Sequence, residues 1–454
     1  MPSPSPRQSS RSGWARPGFG SVLVLALITG CGASQADEAA AGDSGPATSS
    51  QEGSQVRGDA SDATRQVAPG IQVLLQDSLH LVRGRRVGLI TNHTGIAPTA
   101  DGGTASSIDL LMSHPDVELV ALYSPEHGIR GTAEAGERVE SSTDGPTGLP
   151  IHSLYGATRK PTPTMLEGID VLLFDIQDVG ARYYTYVWTM ALAMEAAGEQ
   201  DIPFVVLDRP NPIGGAQVQG NVLEPDFATF VGLYPVPMRH GLTPGEIARL
   251  LSGAFDVGGP LSVVPARGWV RSMSFADTGL PWVAPSPNMP DPTSALHYPG
   301  TCLFEGTNLS VGRGTSRPFQ QVGAPFLDEA ALAEALNDAG LPDVRFEPVR
   351  FTPEAPGDGK WAGVEVGGVR FVATGPDYDP TRAAVTALVE ARRLGGPEWE
   401  WSETHFDRLA GNATLRDQID AGLGPATLTA DWGDQIAAFR RLSADYLIYP
   451  LEGE

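Results

Sequence analysis

Two cysteines in 454 residues rule out a fold held by disulfides, and without a Cys-x-x-Cys pair a thiolate zinc site is excluded too. Positive charge is also scarce. Lys and Arg number 31 against 54 Asp and Glu, a net charge of −23. The clustered cations that grip phosphate backbones are missing, and no nucleic-acid partner is expected. Lysine is reduced to Lys160 and Lys360, so arginine carries nearly all the basic character. No apolar run approaches the roughly 20 residues that cross a bilayer. Strong ligand fingerprints are absent in turn: no G-x-G-x-x-G in the first strand–helix turn, no G-x-x-x-x-G-K-[ST], no G-x-S-x-G and no H-E-x-x-H. Their absence argues against dinucleotide, P-loop, lipase-type and zincin chemistry, and no cofactor or metal is expected.

The first thirty-one residues read as an address. Arg7, Arg11 and Arg16 precede the apolar run Val22-Leu-Val-Leu-Ala-Leu-Ile28, which ends in Thr29-Gly30-Cys31. That is too short for a spanning helix and suits an export signal. The tetrapeptide Ile28-Thr29-Gly30-Cys31 resembles the lipobox of bacterial lipoproteins, which implies cleavage of residues 1–30 and lipid on the Cys31 sulfur. The expected location is the cell envelope, with the membrane surface as a partner through acyl chains. Residues 31–70 are Ala, Gly, Ser, Asp and Gln with no aromatic side chain, a composition expected to form a tether. Cys302 then has no partner in the mature chain, and a buried free thiol is the simplest expectation.

The body divides by pattern at the proline-rich stretch 281–299, read as an extended crossover. Residues 71–295 alternate near-continuous aliphatic strands (86–91, 117–123, 169–175, 203–208, 261–265) with helices at 106–114, 184–199 and 243–252. Buried Val/Ile/Leu strands separated by helices predict an α/β fold, a Rossmann-like parallel sheet covered on both faces. Residues 296–454 mix helices at 328–339, 380–394, 412–421 and 431–444 with strands at 344–351, 361–366 and 369–374. The last two are expected to form a hairpin through Gly367-Gly368. This second part is predicted to be a smaller α+β domain closing a cleft.

Ligands of open parallel sheets lie outside the carboxyl ends of the strands, and polar residues gather at just those positions. Asn92-His93-Thr94-Gly95 follows the first strand and Ser124-Pro-Glu126-His127-Gly128 the second. Ile176-Gln177-Asp178-Val-Gly-Ala-Arg182 follows the third and Arg209-Pro-Asn211-Pro212 the fourth. Each loop alone has the composition of an ordinary turn. Four on one rim point to a site of carboxylates, amides, imidazoles and arginines, suited to acid–base attack on a polar substrate.

Four long motifs carry a resemblance: Leu122-Tyr-Ser-Pro-Glu-His-Gly-Ile-Arg-Gly131, Phe174-Asp-Ile-Gln-Asp-Val-Gly-Ala-Arg-Tyr-Tyr-Thr-Tyr186, Leu207-Asp-Arg-Pro-Asn-Pro212 and Phe304-Glu-Gly-Thr-Asn-Leu-Ser-Val-Gly-Arg-Gly-Thr315. From about Gln72 to Tyr449 the chain resembles the exo-β-N-acetylmuramidases of the NamZ type. The resemblance implies release of terminal β-linked N-acetylmuramic acid from peptidoglycan fragments, in a cleft between a Rossmann-like domain and a smaller one. Glycoside hydrolysis usually takes two carboxyl groups. Glu126 is the first candidate, and Glu305 or Asp178 the second. Asp175 ends an apolar strand and Glu195 lies inside a helix, so both read as structural. For the lactyl carboxylate of such a substrate the candidates are Arg182, Arg209 and Arg313. Asn92, His93, His127, Gln177, Asn211, His240 and Asn308 would meet hydroxyls and the acetamide. Of Tyr183, Tyr184 and Tyr186, at least one is expected in the core, since helix neighbours point apart. Two alternatives remain: a lipid-anchored sugar-binding protein without catalysis, and a metal-assisted hydrolase using His93, His127 and Asp178.

Overall fold

The computed structural model describes residues 66–450 apart from Thr132 and Ala135. The export signal, Cys31 and residues 32–65 lie outside the described residues. Residues 66–70, read as the end of the tether, are part of the folded body. Val67 packs with Ala266, Trp269 and Tyr449, its amide bonds Thr278 O at 2.9 Å, and a helix begins at Gly70.

The central sheet has seven strands: β1 (Arg86–Thr91), β2 (Glu118–Ser124), β3 (Ser142–Thr143), β4 (Pro150–Ser153), β5 (Val171–Asp175), β6 (Phe204–Leu207) and β7 (Leu261–Val264). Their order across the sheet is β7-β6-β5-β1-β2-β4-β3. All pairings are parallel except the edge contact of β3 with β4. The chain leaves β1 in one direction, returns, and continues in the other, so the order reverses between β1 and β5. This is the strand order of dinucleotide-binding α/β folds, whose ligands sit at that reversal. β3 and β4 have no counterpart in the sequence reading, because Ser142–Thr143 and Pro-Ile-His-Ser are too short and too polar to show a strand period.

Successive strand residues feed two apolar layers. Leu89, Leu122, Leu173 and Leu207 face one side with Ile71 and Leu74 of the first helix. Ile90, Tyr123, Leu172, Phe174 and Val206 face the other. There they meet the helix Tyr186–Gly198, which is buried nearly all round, and the helix Pro244–Phe255. Thr243 caps the latter in a reciprocal box with Glu246 and Pro244 opens it, as its sequence predicts.

The same apolar layer runs without interruption into the C-terminal part, through Tyr298, Phe304, Phe371, Leu388 and Phe439. Here β8 (Gln321–Ala324), β9 (Val344–Phe351) and β10 (Val366–Ala373) form an antiparallel sheet with β10 in the middle. Gly367 and Gly368 are therefore not a turn. They lie inside β10, where a side chain on Gly368 would collide with the Val322 carbonyl of β8; close strand approach, not chain reversal, calls for glycine. Part of the expected crossover is also helical: Asp291 caps Pro292–Thr301 by accepting from the Ser294 amide at 2.9 Å.

One side chain ties the two parts together. The Arg182 guanidinium, wholly buried, donates to the carbonyls of Asn221, Val236, Leu409 and Ala410 at 2.9–3.1 Å. Leu409 and Ala410 end the helix Glu403–Ala410, where carbonyls have no partner within the helix. Arg182→Met would remove four charge-assisted hydrogen bonds, at about 1–3 kcal/mol each, and strand the Leu409 carbonyl. The expected outcome is a loss of at least about 3 kcal/mol in unfolding free energy, read as a lower urea midpoint. An unchanged midpoint would show that those carbonyls find other donors.

Candidate active site

A cavity of about 320 Å³ opens at the carboxyl end of the parallel strands. Its walls come from the loops after β2 and β5, from the segments around Tyr155, Phe230 and Ser286, and from the C-terminal residues Tyr298, Glu305, Arg313, His405 and Arg408. Glu126 is presented by an abrupt turn. Pro125 ends the extended run, and His127 and Gly128 both take left-handed conformations, with φ of 68° and 75°. Such a φ is uncommon for histidine; here the Nδ1 contact with the Ala133 carbonyl, 2.6 Å, holds the ring. The half-buried Glu126 carboxylate accepts from the Gly136 amide at 2.9 Å and from the Thr185 hydroxyl at 2.6 Å. Tyr155 reaches the same carboxylate, and burial first, then that carboxylate, pushes its phenol up to about 12.

Glu305 faces the cavity from the other part of the chain. One of its oxygens takes two bonds from Arg313, at 2.8 and 2.6 Å. Lys360, itself depressed by burial, holds the backbone carbonyls of Phe304, Glu305 and Leu309 at 3.0–3.3 Å. Burial alone would raise the Glu305 pKa, but the Arg313 guanidinium overrides it and keeps the carboxyl below its ordinary range. Among the described residues, the cavity wall therefore carries a fixed carboxylate and a second carboxyl bound by a hydroxyl, a phenol and an amide. The Cys302 thiol, buried and free, lies 3.5 Å from the second Glu305 oxygen.

Glu126, His127, Glu305 and Arg313 meet on this cavity; the other expected site residues do not line it and are bonded within the scaffold. Arg182 binds carbonyls, as above. Arg209 pairs with Asp175 in a buried fork at 2.6 and 3.0 Å, which also bears out Asp175 as structural. Gln177 donates to the carbonyls of Asp178 and Pro210, both at 2.8 Å. Asn211 donates to Leu242 O at 3.0 Å. His240 accepts from the Leu242 amide at 3.1 Å, and burial drives it down to about 3, so it is neutral. Asn92 folds back on Thr94 at 2.9 and 2.6 Å. His93 contacts the Ala284 carbonyl at 2.7 Å and is lowered by burial. Asn308 donates to Glu398 O at 2.8 Å. Among the described residues no three His, Cys, Asp or Glu side chains gather to hold a metal ion.

All three tyrosines are buried in the core cluster, as expected of at least one of them, and all three also touch the cavity wall; the helix begins only at Tyr186, so the spacing argument does not apply to Tyr183 and Tyr184. Tyr184 packs edge-on against Tyr186 and Tyr298, with centroids 5.0 and 5.7 Å apart. Arg159, His405 and Arg408 were missed altogether. Arg159 belongs to an irregular segment without periodicity. Arg408 and His405 sit on the short helix Glu403–Ala410, which ends at Gly411 and has no counterpart in the sequence reading.

Two family models match this chain: exo-beta-N-acetylmuramidase NamZ, N-terminal, over residues 87–293, and its C-terminal counterpart over residues 296–449. A curated relative, the peptidoglycan beta-N-acetylmuramidase NamZ of Bacillus subtilis (strain 168), is 46% identical over 385 residues, 84% of this chain and 91% of that protein. Two crystal structures of DUF1343 family proteins from Bacteroides fragilis share the fold. One has a TM-score of 0.77 at 38% identity and the other 0.68 at 28%; both alignments cover 85% of this chain and 99% of theirs.

Asp178, expected as a possible second catalytic carboxyl, does not line the cavity. It is buried, one oxygen accepts from the Gly180 amide at 2.8 Å, the other has no partner among the described residues, and burial pushes its pKa up to about 7. An unfolded Asp titrates near 3.9. The folded state therefore keeps the proton between about 4 and about 7, and stability falls as pH rises through that interval. In urea denaturation, Asp178→Asn is expected to gain on the unsubstituted protein as pH rises from about 5 to about 7 and then to hold its lead. A difference independent of pH would place Asp178 at its ordinary titration point.

Proposed function

This chain belongs to the exo-β-N-acetylmuramidase NamZ family, and from that membership we propose how its cavity cleaves terminal N-acetylmuramic acid from peptidoglycan fragments. The protein is an exo-acting muramidase, a glycoside hydrolase. The observation that carries the mechanism is the unequal pair of carboxyls on one cavity, Glu126 from the sheet side and Glu305 from the C-terminal side. Glu305 is kept ionised by Arg313, so the role of proton donor falls to Glu126. Glu126 protonates the glycosidic oxygen, the bond from that oxygen to the anomeric carbon breaks with its electrons leaving on oxygen, and the oxocarbenium-like carbon faces the Glu305 carboxylate. Water adds its hydroxyl to that carbon, and its proton restores the donor. A cavity near the small end of the range for ligand sites admits a terminal sugar rather than a threaded glycan.

A non-catalytic sugar-binding protein would have no use for the Arg313–Glu305 clamp opposite Glu126. The test is turnover of an aryl β-N-acetylmuraminide. Glu126→Gln is expected to lower kcat by about 10²–10⁴, the usual worth of general acid catalysis, with little change in KM. A loss under about tenfold would remove Glu126 from the proton-transfer step.

The supporting residues for location are all in the N-terminal sequence: Arg7, Arg11 and Arg16, the apolar run 22–28, and Ile28-Thr29-Gly30-Cys31. The protein is exported and held on a membrane surface by lipid on Cys31, close to its peptidoglycan-derived substrates. No helix among the described residues is long and apolar enough to cross a membrane. Expressed in a bacterium that processes lipoproteins, the full chain is expected in the detergent-extractable membrane fraction, and Cys31→Ser in the soluble fraction. Equal partition of the two would refute the anchor.

A further inference from the structure

N-acetylmuramic acid differs from N-acetylglucosamine by a lactyl ether that ends in a carboxylate. A cavity that already holds the ionised Glu305 carboxylate disfavours that anion unless a cation is left for it. The arginines expected for this purpose are committed: Arg182 to four carbonyls, Arg209 to Asp175 and Arg313 to Glu305. Of the imidazoles on the cavity, His405 is lowered by burial and carries little charge at neutral pH, and His127 is engaged with the Ala133 carbonyl. Two guanidiniums on the wall, Arg159 and Arg408, have no acidic partner among the described residues.

Arg408 has a structural role to hand. It lies in the last turn of the helix Glu403–Ala410, where a cation complements the carbonyl end of the helix dipole. Arg159 has no such role. Its guanidinium lies 4.3 Å from the centre of the Phe230 ring and 5.2 Å from that of Tyr155, and the two rings are 6.0 Å apart. Stacking holds a guanidinium through its face; one N–H of Arg159 also bonds the Tyr155 phenol, and its remaining N–H groups stay available for a carboxylate. Tyr155 also reaches Glu126, so the same aromatic clamp registers Arg159 against the proposed proton donor.

Resting on the muramidase reading above, we propose that Arg159 recognises the lactyl carboxylate and is the residue that makes the site select N-acetylmuramic acid over N-acetylglucosamine. It is a binding residue, held by aromatic faces rather than by an ion pair. Its charge is therefore unspent until the substrate arrives.

The test compares aryl β-N-acetylmuraminide, the same compound with its lactyl group as the methyl ester, and aryl β-N-acetylglucosaminide. The unsubstituted protein is expected to prefer the free acid to the ester by about ten- to a hundredfold in kcat/KM, the worth of a charge-assisted hydrogen-bond pair. Arg159→Gln is expected to lower the free acid by that factor, chiefly through KM, and to leave the ester unchanged, so that the preference disappears. Arg159 is exposed, and its substitution is expected to leave the thermal unfolding midpoint in place. If the free-acid preference survives in Arg159→Gln, or vanishes instead in Arg408→Gln, the assignment is overturned while the muramidase reading stands. If the unsubstituted protein cleaves neither muraminide, the muramidase reading falls and takes this inference with it.

Discussion

The site exists because one guanidinium joins two halves of the chain. Arg182 is bound at every level: its amide donates to Met238 O at 2.9 Å, its carbonyl accepts from Trp188 Nε1 at 2.7 Å, and its side chain holds the last carbonyls of a helix more than two hundred residues away. The residues immediately after it are the tyrosine wall. The helix it terminates carries His405 and Arg408. Asn221 adds a second donor to Ala410 O at 2.7 Å. Burial lowers the Arg182 pKa to about 10, which still leaves it charged, and five donors in a rigid plane can serve several carbonyls at once in a way no ammonium can. An almost lysine-free sequence is consistent with this use. Arginine here is a construction material.

The same economy runs through the other buried charges. Arg209 with Asp175, Arg271 with Glu246 and Arg313 with Glu305 are all interior pairs. Removing two charges from water costs nearly what their attraction returns, so such pairs add little net stability and are best understood as fixing geometry. Arg271 and Glu246 bind the C-terminal segment, since Glu246 also accepts from the Ile448 amide at 2.9 Å. Asp208, raised to about 6 by burial, takes the hydroxyls of Thr243 and Tyr449, both at 2.7 Å. Glu126 apart, Asp175 and Asp208 at the carboxyl ends of their strands thus face an arginine and hydroxyls and not the cavity.

That explains how much of the molecule was legible in its sequence. The parallel strands announced themselves because burial on both faces leaves a continuous aliphatic run, as in Val171–Asp175 and Phe204–Leu207. The polar rim after each strand was equally visible. Sequence gives the kind of side chain at the rim but not the direction in which it points: Asn211 and Arg209 look the same on paper whether they serve a ligand or a loop. Gly367-Gly368 misled for a related reason, since glycine permits a turn and also a close strand contact, and only the pairing with β8 decides. Arg159 left no trace because stacking on Phe230, some seventy residues on, has no local signature.

What distinguishes the two carboxyls of the cavity is the chemistry of their supports. Glu305 is held by a full charge and by a backbone that Lys360 fixes, an arrangement that favours one protonation state and tolerates little movement. Glu126 is held by groups that can reorganise: the Thr185 hydroxyl rotates to donate to or accept from its neighbour, and the supporting turn contains two left-handed residues. A proton donor must exist in both forms within one turnover, whereas a group that steadies positive charge must exist in only one. The reaction can therefore be assigned to these residues by what surrounds them, and the loops that bring them together matter as much as the carboxyls themselves.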